Sequence, residues 1–221
     1  KFNNFIIDGC EFYFEEEEDD LEKELDFYKK RLEELKDEKD QNKLIEVLFH
    51  MIQTYFKIGA YDTALLRLNV CKEKMINVSE FNKLHLEYNI GLCYFNLQDF
   101  EKVRDLYEVL YSKIENIMGK KYIICLRIEY NLTISYYYLE CYNLSKDYLE
   151  NLIPRFKEDG DKEDILELEW YKAQSYFKLK EYKKSKELIY NLLPKMDKND
   201  GKENIKFNLL IKSLLTCYID E

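Results

Sequence analysis

The sequence predicts an all-α fold, a right-handed α-solenoid of stacked helix hairpins. Three observations carry that expectation. The 221 residues contain only 2 prolines and 6 glycines, too few breakers for a turn-rich β fold. Apolar residues make up 46% and charged residues 35%, which permits a core and argues against disorder. Most informative is a pattern that returns five times along the chain. Its anchor tyrosines are Tyr55, Tyr94, Tyr136, Tyr176 and Tyr218, spaced by 39, 42, 40 and 42 residues.

Other columns keep the same register. Eight residues before each anchor stand Val47, Leu86, Ile128, Leu168 and Leu210. The residue just before it is small: Thr54, Cys93, Ser135, Ser175, Cys217. Ile58, Leu97, Leu139 and Leu179 follow three residues after it, and Tyr61, Phe100, Tyr142 and Tyr182 six after. Further on come Ala64, Val103, Ser145 and Ser185, then Leu68, Tyr107, Leu149 and Ile189, then Cys71, Leu110, Leu152 and Leu192. The apolar spacing is helical, broken once near Gly59, Asp99, Cys141 or Glu181. Each repeat is therefore two antiparallel helices around a short turn. One hairpin cannot bury its apolar face alone, whereas a stack can.

In chain order, residues 1–41 form a degenerate, acidic cap, in which Leu21–Leu35 reads as an amphipathic helix and the second half of an incomplete first repeat. Residues 42–221 carry the repeats, at about 42–80, 81–121, 122–162, 163–201 and a partial 202–221. Spacers at Asn77–Asn82, Asn116–Lys121, Glu158–Asp164 and Asp197–Glu203 should absorb the length between repeats. In the partial repeat, Leu210, Leu214 and Tyr218 lack a covering helix, so either a second protomer packs on this C-terminal helix as a homodimer or the natural chain continues.

The net charge is −10. Residues 1–40 hold 7 basic and 16 acidic side chains, which leaves the repeats nearly neutral. No basic face offers to hold nucleic acid, and no apolar run is long enough to span a membrane. The six cysteines form no C-x-x-C pair and read as reduced, packed thiols of a cytoplasmic protein. The chain opens on Lys1, not Met, and reads as a piece of a longer protein. It has no Gly-rich phosphate loop, H-E-x-x-H or G-x-S-x-G motif. Neither histidine has a second ligand at i+4, so no metal, cofactor or enzymatic activity is expected.

An ion-pair ladder is expected inside the repeats. Glu87, Glu129 and Glu169 stand seven residues before their anchors, and Arg104, Lys146 and Lys186 ten after. Such pairs would be worth ~0.5–1 kcal/mol each if partly exposed.

At 100° per residue, a further arc of each first helix faces the concave side. It carries Phe49, His50, Gln53, Phe56 and Lys57; then His85, Tyr88, Asn89, Leu92, Phe95 and Asn96. The later repeats contribute Arg127, Tyr130, Asn131, Ile134, Tyr137 and Tyr138, then Trp170, Tyr171, Gln174, Phe177 and Lys178. A carboxamide can donate to a peptide C=O and accept from its N–H, so amides repeated at this spacing could hold an extended backbone. Aromatic pockets between them would select side chains. The expected partner is a short peptide or an extended segment of another protein.

The column pattern resembles the tetratricopeptide repeat, through Gly59, Tyr61, Ala64 and Leu68, then Gly91, Tyr94 and Phe100, then Ala173, Tyr176 and Tyr182. It departs in period, near 40 residues where 34 is usual, and in Pro154 and Pro194, which fall early for the position after the second helix. Long, aromatic-rich repeats with groove asparagines resemble the sensor domains of the Gram-positive peptide-pheromone receptors, the Rap, NprR, PlcR, PrgX and Rgg family. That resemblance implies a quorum-sensing transcriptional regulator, with sporulation among the processes such proteins serve. It implies backbone clamping by Asn89 and Asn131, and a DNA-binding helix-turn-helix upstream of Lys1. A general interaction scaffold and a Rap-like regulator of a phosphorelay protein are the alternatives.

Overall fold

The structure is a computed structural model and describes residues 6–7, 10–11, 18–37, 41–74, 77–119, 122–159, 162–199 and 205–219. Two short strands, β1 (Ile6–Ile7) and β2 (Cys10–Glu11), pair antiparallel. All other regular structure among the described residues is helix: α1 (Glu18–Glu34), α2 (Gln41–Lys57), α3 (Tyr61–Lys74), α4 (Glu80–Asn96) and α5 (Phe100–Met118), then α6 (Ile123–Tyr138), α7 (Tyr142–Asp159), α8 (Lys162–Lys178), α9 (Tyr182–Asn199) and α10 (Ile205–Ile219). The fold class is the expected all-α solenoid of helix hairpins. The chain divides into two compact units, Lys1–Asp99 and Phe100–Glu221. In the first, α1 packs on α2, α2 on α3 and α3 on α4. In the second, each helix from α5 to α10 packs on the next, and α8 also touches α6 and α10.

Four turns are built alike. The fourth residue after each anchor tyrosine has positive φ: Gly59 (73°), Gln98 (61°), Glu140 (60°) and Lys180 (60°). The next residue donates its N–H back to the anchor's own carbonyl: Ala60 to Tyr55, Asp99 to Tyr94, Cys141 to Tyr136 and Glu181 to Tyr176, at 2.8–2.9 Å. These are Schellman closures, which satisfy the last carbonyls of the first helix and reverse the chain at once. Only the first uses glycine, the residue with no penalty there.

The small and apolar columns form the core. Thr54, Cys93, Ser135, Ser175 and Cys217 are fully buried, as are Ala64, Val103, Ser145 and Ser185. Leu68, Tyr107, Leu149 and Ile189 are likewise at 0% exposure, each burial worth ~1.5–3 kcal/mol for a large side chain. The two serines do more than fill space. Ser145 Oγ donates to Thr133 O and Ser185 Oγ to Ala173 O, both at 3.0 Å, tying second helix to first at the same register. The anchor hydroxyls reach the preceding second helix: Tyr136 donates to Glu108 Oε1 at 2.5 Å, Tyr176 bonds Glu150, and Tyr218 meets Tyr190. Burial pushes the Cys93 thiol up to about 12 and the Cys125 thiol up to about 11, with no disulfide among the described cysteines.

Several expectations need correction. The spacers are shorter than supposed, because α4 starts at Glu80, α8 at Lys162, and α5, α7 and α9 run on to Met118, Asp159 and Asn199. The extra length of the repeat is helix: α5, α7 and α9 have 19, 18 and 18 residues. Pro154 and Pro194 accordingly lie inside α7 and α9, not after them. At the C-terminal end Leu210 is fully buried, though it was expected bare, because α8 and α9 cover it. Leu214 is half-buried, and Tyr218 is 55% exposed. Val47, Tyr94 and Cys71 are half-buried, and Ile58 is exposed.

The glutamates of the ladder do pair, but with other bases. Glu129 binds Arg155, and Glu169 binds Lys195 at 2.8 Å and Lys157 at 3.1 Å. Glu87 binds Lys72 at 3.0 Å. Arg104 turns to Asp105, Lys146 to Glu181, and Lys186 lies over the Tyr218 ring. The reason is reflection through the turn. A residue far before an antiparallel turn faces one far after it, and the bases expected as partners sit only about one helical turn beyond it.

Candidate functional site

In the first unit the candidate face lies on α2 and α4. Phe49, Phe56, His85, Tyr88 and Asn89 are buried, and His50, Gln53, Lys57, Leu92, Phe95 and Asn96 are half-buried. His50 stacks on Tyr28 of α1, ring centroids 5.7 Å apart and planes 11° off parallel. His85 is held between Phe81 at 4.1 Å and Phe49 at 6.5 Å. Lys57 faces Glu24 at 3.7 Å, and Asn96 Nδ2 donates back to Leu92 O at 2.8 Å. α2 and α4 also meet where Asn82 Nδ2 donates to Asn42 Oδ1 at 3.0 Å.

Two carboxamide atoms stand out. Gln53 Nε2 and Asn89 Oδ1 are buried and make no hydrogen bond. Gln53 lies one turn beyond Phe49 on α2, and Asn89 one turn beyond His85 on α4, so each follows the ring contact that joins the two helices. One is a donor and the other an acceptor. An unmet buried polar group costs ~1–3 kcal/mol.

In the second unit, Tyr130, Asn131, Ile134, Trp170, Tyr171 and Gln174 are buried; Arg127, Tyr137 and Phe177 are half-buried; Tyr138 and Lys178 are exposed. Arg127 Nη1 bonds the fully buried Asp164 at 2.8 Å, joining α6 to α8. Tyr130 donates to Glu167 Oε2 at 2.5 Å, and Lys206 of α10 also binds Glu167. Trp170 Nε1 donates to Lys206 O at 3.0 Å, and Gln174 Oε1 accepts from Ser213 Oγ at 3.2 Å while Nε2 has no partner. Tyr137 packs edge-on against Tyr142, Trp170 and Tyr171 at 5.1–6.1 Å. Burial raises the Tyr130, Tyr137 and Tyr171 phenols far above their ordinary value.

The arc drawn from the sequence is therefore not an open row of exposed rings and amides. Asn89, Asn131 and Trp170 are 3%, 5% and 5% exposed, and Trp170 serves as a tie between α8 and α10. The periodicity gives an angle around a helix but not the depth to which neighbouring first helices cover it. Sequence reasoning also missed Asp164 and Glu167, which engage Arg127 and Tyr130; the 37-residue offset from each to its partner, close to one repeat, was the available signal. Of the three bases assigned to the face, Lys57 and Arg127 already hold carboxylates, and Lys178 makes no ion pair among the described residues. Among those residues, no group of three or more His, Cys, Asp and Glu could hold a metal ion. Nor is any helix among the described residues long and apolar enough to cross a membrane.

No protein-family model and no curated protein sequence matches the chain. Solved structures share its fold. BtubC (BKLC) from P. vanneervenii matches with a TM-score of 0.63 at 13% identity, over 90% of this chain and 83% of that one. The apo form of RapI matches with a TM-score of 0.60 at 13% identity, and a Rap protein complexed with competence and sporulation factor with 0.55 at 14%. Each Rap match covers 91% of this chain, which spans 59% and 60% of the two Rap chains.

Proposed function

We propose that this chain is a peptide-binding regulatory domain, the sensor part of a peptide-responsive regulator. The single observation that carries this reading is the pair Gln53 Nε2 and Asn89 Oδ1, a buried donor and a buried acceptor, both unmet, on successive first helices. A peptide unit supplies the complement, a C=O for the first and an N–H for the second. Because both atoms are buried, the backbone gains them by displacing covering side chains, so binding is coupled to a rearrangement of α2 against α4. That coupling is what a sensor requires: a ligand that favours one helix arrangement shifts the population toward it. The fold shared with a Rap protein that binds competence and sporulation factor supports the same reading. Quorum sensing through a small secreted peptide, with the output domain elsewhere in the protein, is its most specific form.

A scaffold built on a two-carboxylate clamp is less well supported, because Lys57 and Arg127 are already engaged by Glu24 and Asp164. The test is retention of synthetic heptapeptides, pooled by composition, on the immobilised chain, read by mass spectrometry. Wild type should retain a subset, and Gln53→Ala/Asn89→Ala should lose it. Equal retention by a folded double variant rejects the clamp.

A further inference from the structure

The second unit carries a cluster of donors that the backbone clamp does not use. Tyr138 is stacked on Phe100, centroids 4.5 Å apart and planes 6° off parallel, while its side chain remains 52% exposed. One ring face is thus fixed by the protein and the ring still presents open surface. Its hydroxyl accepts from Tyr171 OH at 3.2 Å, which leaves the Tyr138 proton free to be donated to another group. On α8, one turn after Tyr171, Gln174 Nε2 is buried without an acceptor, the residue being 4% exposed. One turn further, Lys178 Nζ lies 6.0 Å from the Tyr142 ring centroid and makes no ion pair among the described residues. Rings connect these groups: Tyr138 touches Tyr137 at 5.6 Å, and Tyr137 touches Tyr142 at 5.5 Å.

Tyr138 and Lys178 thus adjoin one aromatic ledge, Gln174 lies between Tyr171 and Lys178 along α8, and none of the three donors has an acceptor of its own. We infer that Tyr138, Gln174 and Lys178 form a carboxylate-binding corner within the second unit, with an apolar or aromatic ligand side chain lying on the open surface of Tyr138. The inference rests on the peptide reading and narrows it to peptides that place an acid beside a flat or bulky side chain. A charged hydrogen bond is roughly twice as strong as a neutral one, so the acid should dominate selection at this corner. Rings offered edge and face select planar partners by their quadrupoles. A chain terminus and an Asp or Glu side chain present the same carboxylate to Lys178.

Three probes test this by NMR titration of the isotopically labelled chain: acetyl-Ala-Phe with a free C-terminus, acetyl-Asp-Phe-amide and acetyl-Ala-Phe-amide. At least one of the two acids should bind fivefold or more tighter than the neutral amide, and whichever does identifies the source of the carboxylate. Lys178→Gln, an exposed substitution, should abolish that preference. Equal affinity for all three probes, no binding by any, or a preference that survives Lys178→Gln overturns the corner. Heptapeptide retention through Gln53 and Asn89 is scored separately. Peptides retained there with no preference for an acid reject the corner and leave the clamp standing; loss of both removes the peptide reading.

Discussion

Glu129 and Arg155 lie 26 residues apart and close an ion pair across the α6–α7 hairpin; Glu169 and Lys195, also 26 apart, do the same across α8–α9. The recurrence shows that the repeat preserves cross-hairpin electrostatics as well as core volume. Glu169 is the better probe, since two lysines flank it. Burial works to raise its carboxyl, but the hydrogen bonds from Lys195 and Lys157 outweigh that and hold it below the ordinary value. A lowered folded pKa gives stability that is present above the unfolded value, about 4.3, and lost as pH falls through the folded one. Glu169→Gln should therefore cost about 1 kcal/mol at pH 7, with the difference closing in acid. Urea melts of both proteins at neutral pH and below pH 4 measure it, and a constant difference contradicts the pairing.

The turns make a second prediction. Gln98, Glu140 and Lys180 hold positive φ with a side chain, where Gly59 does not. Replacing any of the three with glycine should raise stability by up to ~1 kcal/mol, and Gly59→Ala should lower it by a similar amount. An added Cβ at Gly59 meets nothing within 4 Å, so the penalty is the backbone's alone. Thermal melts that rank the four variants otherwise would show that these turns are not under strain.

Asn89 predicts a trade between stability and function. Its Oδ1 is buried and unmet, so Asn89→Leu, close in volume and apolar, should stabilise the free chain by about 1 kcal/mol. The same variant should lose peptide retention. A destabilised Asn89→Leu would mean that the amide is already serving the fold.

The buried phenols predict behaviour in alkali. Burial raises Tyr130, Tyr136, Tyr137, Tyr171 and Tyr176, with Glu167, Glu108 and Glu150 adding to the effect at Tyr130, Tyr136 and Tyr176. A raised folded pKa gives stability that is whole below the unfolded value near 10 and lost as pH rises past it. Ultraviolet titration should show a fraction of the 20 tyrosines ionising only together with loss of helical circular dichroism. Smooth ionisation of all of them before unfolding would contradict this.

The fold was legible because a core column must repeat if each hairpin meets the next in the same way. Ala64, Val103, Ser145 and Ser185 differ chemically, yet all are buried to the same depth. The ladder's partners were not legible without the turn's position, which decides whether Glu169 faces Lys186 or Lys195. The candidate face was legible in direction only. Tyr138 and Trp170 were assigned to the same arc, yet one is 52% exposed and the other 5%, because α10 covers Trp170 through Lys206. Which amides are unmet depends on partners a repeat away, as with Gln174 and Ser213, and no single helix reveals that.

Calorimetric titration of retained heptapeptides, amidated and backbone-unmodified, against wild type and Gln53→Ala/Asn89→Ala tests the central claim most directly. The clamp predicts at least a tenfold loss of affinity in the double variant, and a matching loss for wild type when the peptide backbone is N-methylated. Undiminished affinity in both comparisons, with the variant folded, would contradict it.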